Sequence, residues 1–173
     1  MSFIYVGRLD ELKGVRTLID AWKVMNTDAP HLIICGTGPL EDWCLTQIKG
    51  SCLNAEMRGF VNNERVKRLI ADSQALILPT LWYEGFPMTI LEAYSVGVPV
   101  ICSDLGNAGA VIEEGITGWK FKAANAENLA EKVLGWSDIR DSVRDVYKKK
   151  YTADANYEEL LSIYRSVSLR SSE

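Results

Sequence analysis

Two carboxylates bracket the segment EGFPMTILE at residues 84–92, directly after an apolar run. Pro87 suits the first turn of a helix, so we expect Glu84 in the preceding loop and Glu92 in the second turn. Both would then lie near one strand end, where paired oxygens suit the neighbouring hydroxyls of a ribose or a hexose. Spacing alone leaves an alternative, in which Glu84 is solvated in the loop and Glu92 is an ordinary helix residue. Carboxylates are common near helix starts because they interact favourably with the helix dipole.

A pair of cations, Arg8 and Lys13, follows the first apolar run of the chain. Arg8 can reach a diphosphate through its planar fork and Lys13 as a point charge. Taken alone, the pair is more typical of surface cations than of a binding site. Gly36 and Gly38 follow the second apolar run and permit close backbone approach, but no third glycine completes a dinucleotide fingerprint.

The sequence lacks the residues that metal binding or covalent catalysis would need. His31 is the only histidine, and no Asp-x-Asp pair is present to hold a divalent cation against a diphosphate, so no metal site is predicted. No GxSxG segment and no plausible cysteine–histidine pair supports covalent catalysis.

Composition and charge limit the partners and the compartment. The formal net charge of −4 gives no global positive field for nucleic acid or an anionic membrane. The apolar runs are shorter than the roughly 20 residues of a spanning helix, and charged residues interrupt the apolar opening where a secretory signal would stand. No transmembrane segment is therefore predicted, and a cytoplasmic location is expected.

The elements that must position these residues alternate along the chain. Apolar residues such as Leu18, Trp22 and Met25 recur at helical spacing between short apolar runs. Such alternation predicts an α/β fold, with a parallel six-stranded sheet and helices on both faces, within one domain. The runs that read as strands are residues 3–6, 32–35, 55–60, 75–78, 98–102 and 118–121.

Loops after the carboxyl ends of parallel strands open on one edge of the sheet, where ligands of such folds bind. We therefore expect the site on that edge. The loop segments are residues 7–14, 36–39, 59–63, 79–87 and 103–109.

The sequence after Trp119 predicts two more helices, near residues 126–135 and 153–167. Thr152 can cap the second, and its apolar stripe contains Tyr157, Leu160, Leu161 and Tyr164.

Four segments in this order, GRLDELKG, GTGP, EGFPMTILEAYSVGVPVICSD and NAGAVIEEGITGWKF, carry a family resemblance. Together they resemble the C-terminal domain of family four of the retaining GT-B glycosyltransferases (glycosyl transferase group 1), over nearly the whole chain. The resemblance implies a Rossmann-like nucleotide-sugar-binding domain over residues 1–173, the C-terminal half of a GT-B fold. The helical segment 151–173 would pack towards an N-terminal, acceptor-binding domain that is missing.

The resemblance also implies roles for matched residues. Arg8 and Lys13 would hold the donor diphosphate, Glu84 would face the transferred sugar, and Glu92 would bind the ribose hydroxyls. With no metal or other cofactor expected, negative charge on the departing diphosphate would be met by the two cations and by helix N-termini. Further donor-binding positions are Gly7, Gly36, Gly38, Gly59, Phe60, Val61, Gly85, Phe86, Pro87, Met88 and Thr89.

The chain departs from the family's pattern at two places. Pro87 stands where many members have glycine and has no N–H to donate, so the amide of Met88 must serve. Gly106, Asn107 and Ala110 stand where the family often has two glycines and a glutamate, so donor contacts from that loop are not predicted.

The expected function is donor binding in a retaining, metal-independent hexosyltransferase of polysaccharide or glycoconjugate synthesis. The acceptor, a sugar or a lipid-linked sugar, would be held by the missing domain, and the full-length protein would be cytoplasmic or peripheral to the inner face of the membrane. Two alternatives stay open: a stand-alone nucleotide-binding module without turnover, and a non-catalytic interaction domain. The donor sugar and its base are not predicted.

Overall fold

A computed structural model of the chain describes residues 2–83, 85 and 87–170, with side chains described as far as residue 165. Glu84 and Phe86, two of the predicted site residues, lie outside the described residues.

The described ranges contain one six-stranded sheet in which all paired strands are parallel. The strands are β1 (Ser2–Val6), β2 (His31–Cys35), β3 (Ala55–Gly59), β4 (Leu76–Leu78), β5 (Val100–Ser103) and β6 (Gly118–Phe121). All six predicted strands are present, which confirms the fold class. The strand order β3-β2-β1-β4-β5-β6 is that of doubly wound nucleotide-binding folds, with the order reversing between β1 and β4.

Helices cover both faces of this sheet, as the sequence predicts. Alternate residues of β1 point to opposite faces: Phe3 and Tyr5 pack in one core cluster and Ile4 in the other. The helices are α1 (Val15–Met25), α2 (Glu41–Gly50), α3 (Asn63–Ala71), α4 (Met88–Ser95), α5 (Gly106–Val111), α6 (Ala126–Leu134), α7 (Arg140–Lys150) and α8 (Ala153–Arg170). The first cluster includes residues of α1, α2 and α6, and the second includes residues of α3, α4, α5 and α7.

The structure differs from the sequence-based expectation by a residue or two at several element ends, and more substantially at three places. The segment expected as a loop over residues 103–109 contains the start of α5, and α7 is an additional helix after Trp119. Val143 is the buried residue of α7, so this polar helix carries little apolar periodicity from which to predict it. Strand β5 begins at Val100, two residues later than expected, because the Val98 N–H turns back to the Ala93 carbonyl at 2.9 Å.

Helix α8 begins where the sequence places a cap, since the Thr152 hydroxyl oxygen accepts from the Ala155 N–H at 3.2 Å. Its predicted apolar stripe is largely exposed, with Tyr157 60%, Leu160 45% and Tyr164 67% accessible. Along the described part of the chain, no helix has the length and apolar character that crossing a bilayer requires.

Candidate functional site

A groove runs along the carboxyl edge of the sheet, where the strand order reverses. Its larger section is a cavity of about 470 Å³ and its smaller section one of about 270 Å³. Both sections are lined by Val6, Gly7, Arg8, Met88 and Thr89, so they are parts of one groove. The larger section is also lined by Cys35, Gly36, Thr37, Phe60, Val61, Asn63, Val66 and Glu92, and the smaller by Tyr5, Lys13, Leu78 and Pro87.

The wall of the larger section depends on the close approach of the loops after β1, β2 and β3. The Gly36 N–H donates to the Gly59 carbonyl at 2.8 Å, and the Gly7 N–H donates to the Cys35 carbonyl at 3.0 Å. Gly36 has φ +142°, and a Cβ there would lie 1.8 Å from the Gly7 carbonyl oxygen. The position therefore requires glycine, and Gly36 brings the two loops together.

Gly38 has a packing role in the structure, between the loops that follow β1 and β2. A Cβ at Gly38 would lie 2.4 Å from the Leu9 carbonyl oxygen. Its small size thus lets the second loop pack on the first, and among the described lining residues of the groove Gly38 is absent. Its predicted contact with a donor stays a prediction.

The two predicted cations come from one loop and meet at the groove. Arg8 lines both sections with a side chain that is 68% exposed, and Lys13 lines the smaller section. The Tyr5 hydroxyl donates to the Arg8 carbonyl at 2.7 Å, and the Asp10 carboxylate lies 3.2 Å from Arg8 Nε. A second oxygen of Asp10 accepts from the Lys13 N–H at 2.9 Å. The loop is therefore held by its own side chains.

Helix α4 points its N-terminus into the groove. Pro87 is the N-cap residue, and Met88 and Thr89, the first helical residues, line both sections. First-turn N–H groups have no intrahelical acceptor and carry partial positive charge, so they favour an anion. Glu92 lies in the second turn and lines the larger section, which is the place that the sequence predicts for it.

Two apolar residues that follow β3 also line the larger section. Phe60 is 82% exposed, and both Phe60 and Val61 line this section and an adjoining cavity of about 440 Å³. Gly59, directly before them, has φ +60° and contributes its carbonyl to the hydrogen bond from Gly36. The donor-binding role expected of Gly59, Phe60 and Val61 stays a prediction.

The charged groups of the groove have opposite signs. Arg8 and Lys13 supply positive charge and Glu92 supplies negative charge, while the Asp10 carboxylate lies beside Arg8 without lining the groove. Burial raises the pKa of the Cys35 thiol at the groove wall, so this thiol stays protonated and packs as an apolar group. The described residues contain no group of three or more histidine, cysteine, aspartate or glutamate side chains placed to hold a metal ion.

The loop that contains Gly85 is attached to α5. The Asn107 amide Nδ2 donates to the Gly85 carbonyl at 2.6 Å, and a Cβ at Gly106, which has φ +55°, would lie 3.0 Å from Tyr83 Cδ1. Gly106 and Asn107, for which no donor contact is predicted, thus contact the loop of Gly85.

Ten of the predicted site residues line the groove. Gly38, Gly59 and Gly85 are not among its described lining residues, and Glu84 and Phe86 are not described. The sequence did not single out Asp10 or Asn107, although an aspartate three residues before a loop N–H is a known turn pattern. The ten are Gly7, Arg8, Lys13, Gly36, Phe60, Val61, Pro87, Met88, Thr89 and Glu92.

Known proteins are similar to this chain in sequence and in fold. An uncharacterized glycosyltransferase of Methanocaldococcus jannaschii is 28% identical over 94% of this chain and 44% of its own length. The amylovoran biosynthesis glycosyltransferase AmsK of Erwinia amylovora is 29% identical over 78% of this chain and 35% of its own length. The chain therefore spans less than half the length of these relatives. The crystal structure of Anabaena HepE in complex with UDP matches with a TM-score of 0.82 at 19% identity, over 95% of this chain and 48% of HepE.

The expected membership of glycosyl transferase group 1 is confirmed, whereas the assignment to family four and the retention of configuration stay predictions. Residues 2–153 match the family described as glycosyl transferases group 1. Because this match covers most of the 173 residues, the chain belongs to the glycosyl transferases group 1 family.

Proposed function

We propose that this chain binds the nucleoside diphosphate sugar donor of a hexosyltransferase, in the groove at the carboxyl edge of its sheet. One observation carries the proposal: Arg8, Lys13 and Glu92 meet in a single groove into which the N-terminus of α4 points. Cations and free backbone N–H groups suit a diphosphate, and a nearby carboxylate suits the paired hydroxyls of a ribose.

The order of groups along the groove supports one orientation of the donor. Phe60 and Glu92 line the larger section, whereas Lys13 lines the smaller section, and Arg8 lines both. The base would lie against Phe60 and Val61, the ribose against Glu92, and the diphosphate between Arg8 and Lys13. The transferred sugar would then lie beyond Lys13, and the role expected of Glu84 towards that sugar stays a prediction.

The chemistry proposed for the whole protein is transfer with retention, without a metal ion. Breaking the bond between the sugar and the diphosphate leaves negative charge on the departing diphosphate. Arg8, Lys13 and the N-terminus of α4 would stabilise that charge, and preorganised groups of this kind are worth most where charge develops. Each of the two cations would therefore favour the transition state over the bound donor.

The acceptor and the pathway are proposed from the relatives. One relative is named for amylovoran biosynthesis, which supports a role in polysaccharide or glycoconjugate synthesis with a sugar or lipid-linked acceptor. A chain of less than half the relatives' length suggests that the acceptor is held by a further domain. Such an enzyme would work in the cytoplasm, at or near the inner face of the membrane.

The proposal is tested by calorimetric titration of the chain with UDP and GDP. UDP is the first probe because HepE, a structure of the same fold, holds UDP. Hydrogen bonds to charged groups contribute roughly 1.5–3 kcal/mol each, so R8A and E92Q should each weaken binding about tenfold or more.

A matched variant, E127Q, removes an exposed carboxylate from the first turn of α6 and should leave the affinity within about twofold, as is usual for surface changes. If neither nucleotide binds at millimolar concentration, or if E127Q weakens binding as much as E92Q, the donor-site proposal is wrong.

A further inference from the structure

Asp10 contacts the side chain of Arg8 and the backbone of Lys13, although it is not among the residues that line the groove. One carboxylate oxygen lies 3.2 Å from Arg8 Nε, and the other accepts from the Lys13 backbone N–H at 2.9 Å. The Asp10 side chain is 24% exposed, against 68% for that of Arg8. The carboxylate is thus enclosed by the loop, and its hydrogen bond to Lys13 is partly shielded from water.

The backbone of the loop is held at two adjacent residues, Lys13 and Gly14. The Lys13 N–H donates to the Asp10 carboxylate at 2.9 Å. Gly14 has φ +69°, a Cβ there would lie 1.7 Å from the Pro79 carbonyl oxygen, and its N–H donates to the Glu11 carbonyl at 3.1 Å. Of these contacts, the one to Asp10 is made by a side chain.

The neighbouring acidic residue has another partner. Both carboxylate oxygens of Glu11 accept from Arg16 Nε at 2.8 Å, and Arg16 also lies over the Trp43 ring, 4.4 Å from its centroid. Glu11 is therefore paired with Arg16, whereas Asp10 contacts the Arg8 side chain and the Lys13 backbone N–H.

We propose that Asp10 is a positioning residue for the donor diphosphate. By accepting the Lys13 N–H it fixes the loop backbone from which the Lys13 side chain reaches the groove. The inference depends on the proposed function, because it assigns Lys13 to a diphosphate. Asp10 itself contacts neither phosphate nor sugar in this scheme.

The sign of the effect separates positioning from simple electrostatics. A carboxylate beside a diphosphate site repels the ligand, so removing its charge without any structural consequence should tighten nucleotide binding. If Asp10 orders the loop, its removal should weaken binding, because disorder in the free state must be lost on binding. An asparagine keeps an oxygen that can accept the Lys13 N–H but removes the charge.

The experiment is a UDP titration of the wild-type chain and of D10A, D10N, K13A and the D10A/K13A double variant. We expect D10A to weaken UDP binding about fivefold and D10N to bind as tightly as wild type or more tightly. In the K13A background, D10A should lower the affinity for UDP by less than about twofold more, because the Lys13 ammonium group that Asp10 positions is then absent. The effects of the two substitutions on binding should therefore not be additive. Hydrogen exchange of the Lys13 amide should be faster in D10A and unchanged in D10N.

Three results would overturn the inference: D10A that binds UDP as well as wild type, equal losses in D10A and D10N, or unchanged exchange of the Lys13 amide in D10A. The two proposals fail differently. If the wild-type chain binds neither UDP nor GDP, the donor site and the positioning role are both wrong. If UDP binds and E92Q weakens it while D10A has no effect, the positioning role alone is wrong.

Discussion

Replacing Gly36 by alanine should destabilise the chain because the β1 and β2 loops meet at this residue. A Cβ at position 36 would lie 1.8 Å from the Gly7 carbonyl oxygen and 2.9 Å from its carbonyl carbon. Both atoms belong to the backbone, so the clash cannot be relieved by a side-chain rotation. The φ of +142° adds a second cost, because side chains rarely tolerate this conformation.

The size of the effect follows from these two costs. A residue held in a sparsely populated backbone region costs about 1–3 kcal/mol, and overpacking a well-packed site costs about 1–3 kcal/mol. We therefore expect G36A to lower the free energy of unfolding by about 3 kcal/mol or more. In a chain of this size, 1 kcal/mol corresponds to roughly 2–4 °C in Tm, which predicts a Tm lower by at least about 6 °C.

The assay is urea unfolding followed by circular dichroism, together with a thermal scan. Gly50 provides the matched control, because it ends α2 without a positive φ and has no described atom within 4 Å of an added Cβ. The helix preference of alanine should leave G50A as stable as wild type or slightly more stable. The reasoning would be refuted if G36A and G50A unfolded at the same urea concentration.

Three further outcomes are expected. Trp22 is fully buried, and its Nε1 donates to the Pro30 carbonyl at 2.8 Å. W22A should therefore lower the free energy of unfolding, measured by urea titration, by about 3–5 kcal/mol. A loss below about 1 kcal/mol would contradict this packing. Burial raises the pKa of Cys44 to about 11 from an ordinary value near 9, so the folded chain keeps this proton longer than the unfolded chain. Stability should therefore fall between pH 9 and 11, and less so in C44A; equal slopes of the urea midpoint against pH would argue otherwise. L160A, on the exposed stripe of α8, should change the free energy of unfolding by less than about 0.5 kcal/mol, whereas a loss above 2 kcal/mol would mean that this residue is packed.

The sheet could be predicted from the sequence because buried parallel strands have apolar residues on both faces. The runs at β2, β4 and β5 carry this signal directly. Helix α7 could not be predicted in the same way, because it packs against α4 through Val143, its one buried residue among those described. The other residues of α7 are too polar to show an apolar periodicity. Helix α5 was hidden by its glycines, which are also typical of loops.

The site could be predicted in part for a related reason. Arg8, Lys13 and Glu92 follow strand ends, and strand ends of a parallel sheet share one edge, so their meeting follows from topology. The role of Gly38 in packing against Leu9 depends on the distance between two loops, which residue types do not give. The hydrogen bond from Asn107 to Gly85 likewise joins residues 22 positions apart.

The central claim, that the groove at the carboxyl edge binds a nucleoside diphosphate, is tested most directly by amide chemical-shift mapping during a UDP titration of the isotope-labelled chain. We predict saturable shifts for the amides of Gly7, Arg8, Gly36, Val61 and Thr89, which line the groove, with little change in α6 and α7. Saturable shifts centred on α6 or α7, or no saturable shift with millimolar UDP or GDP, would contradict the claim.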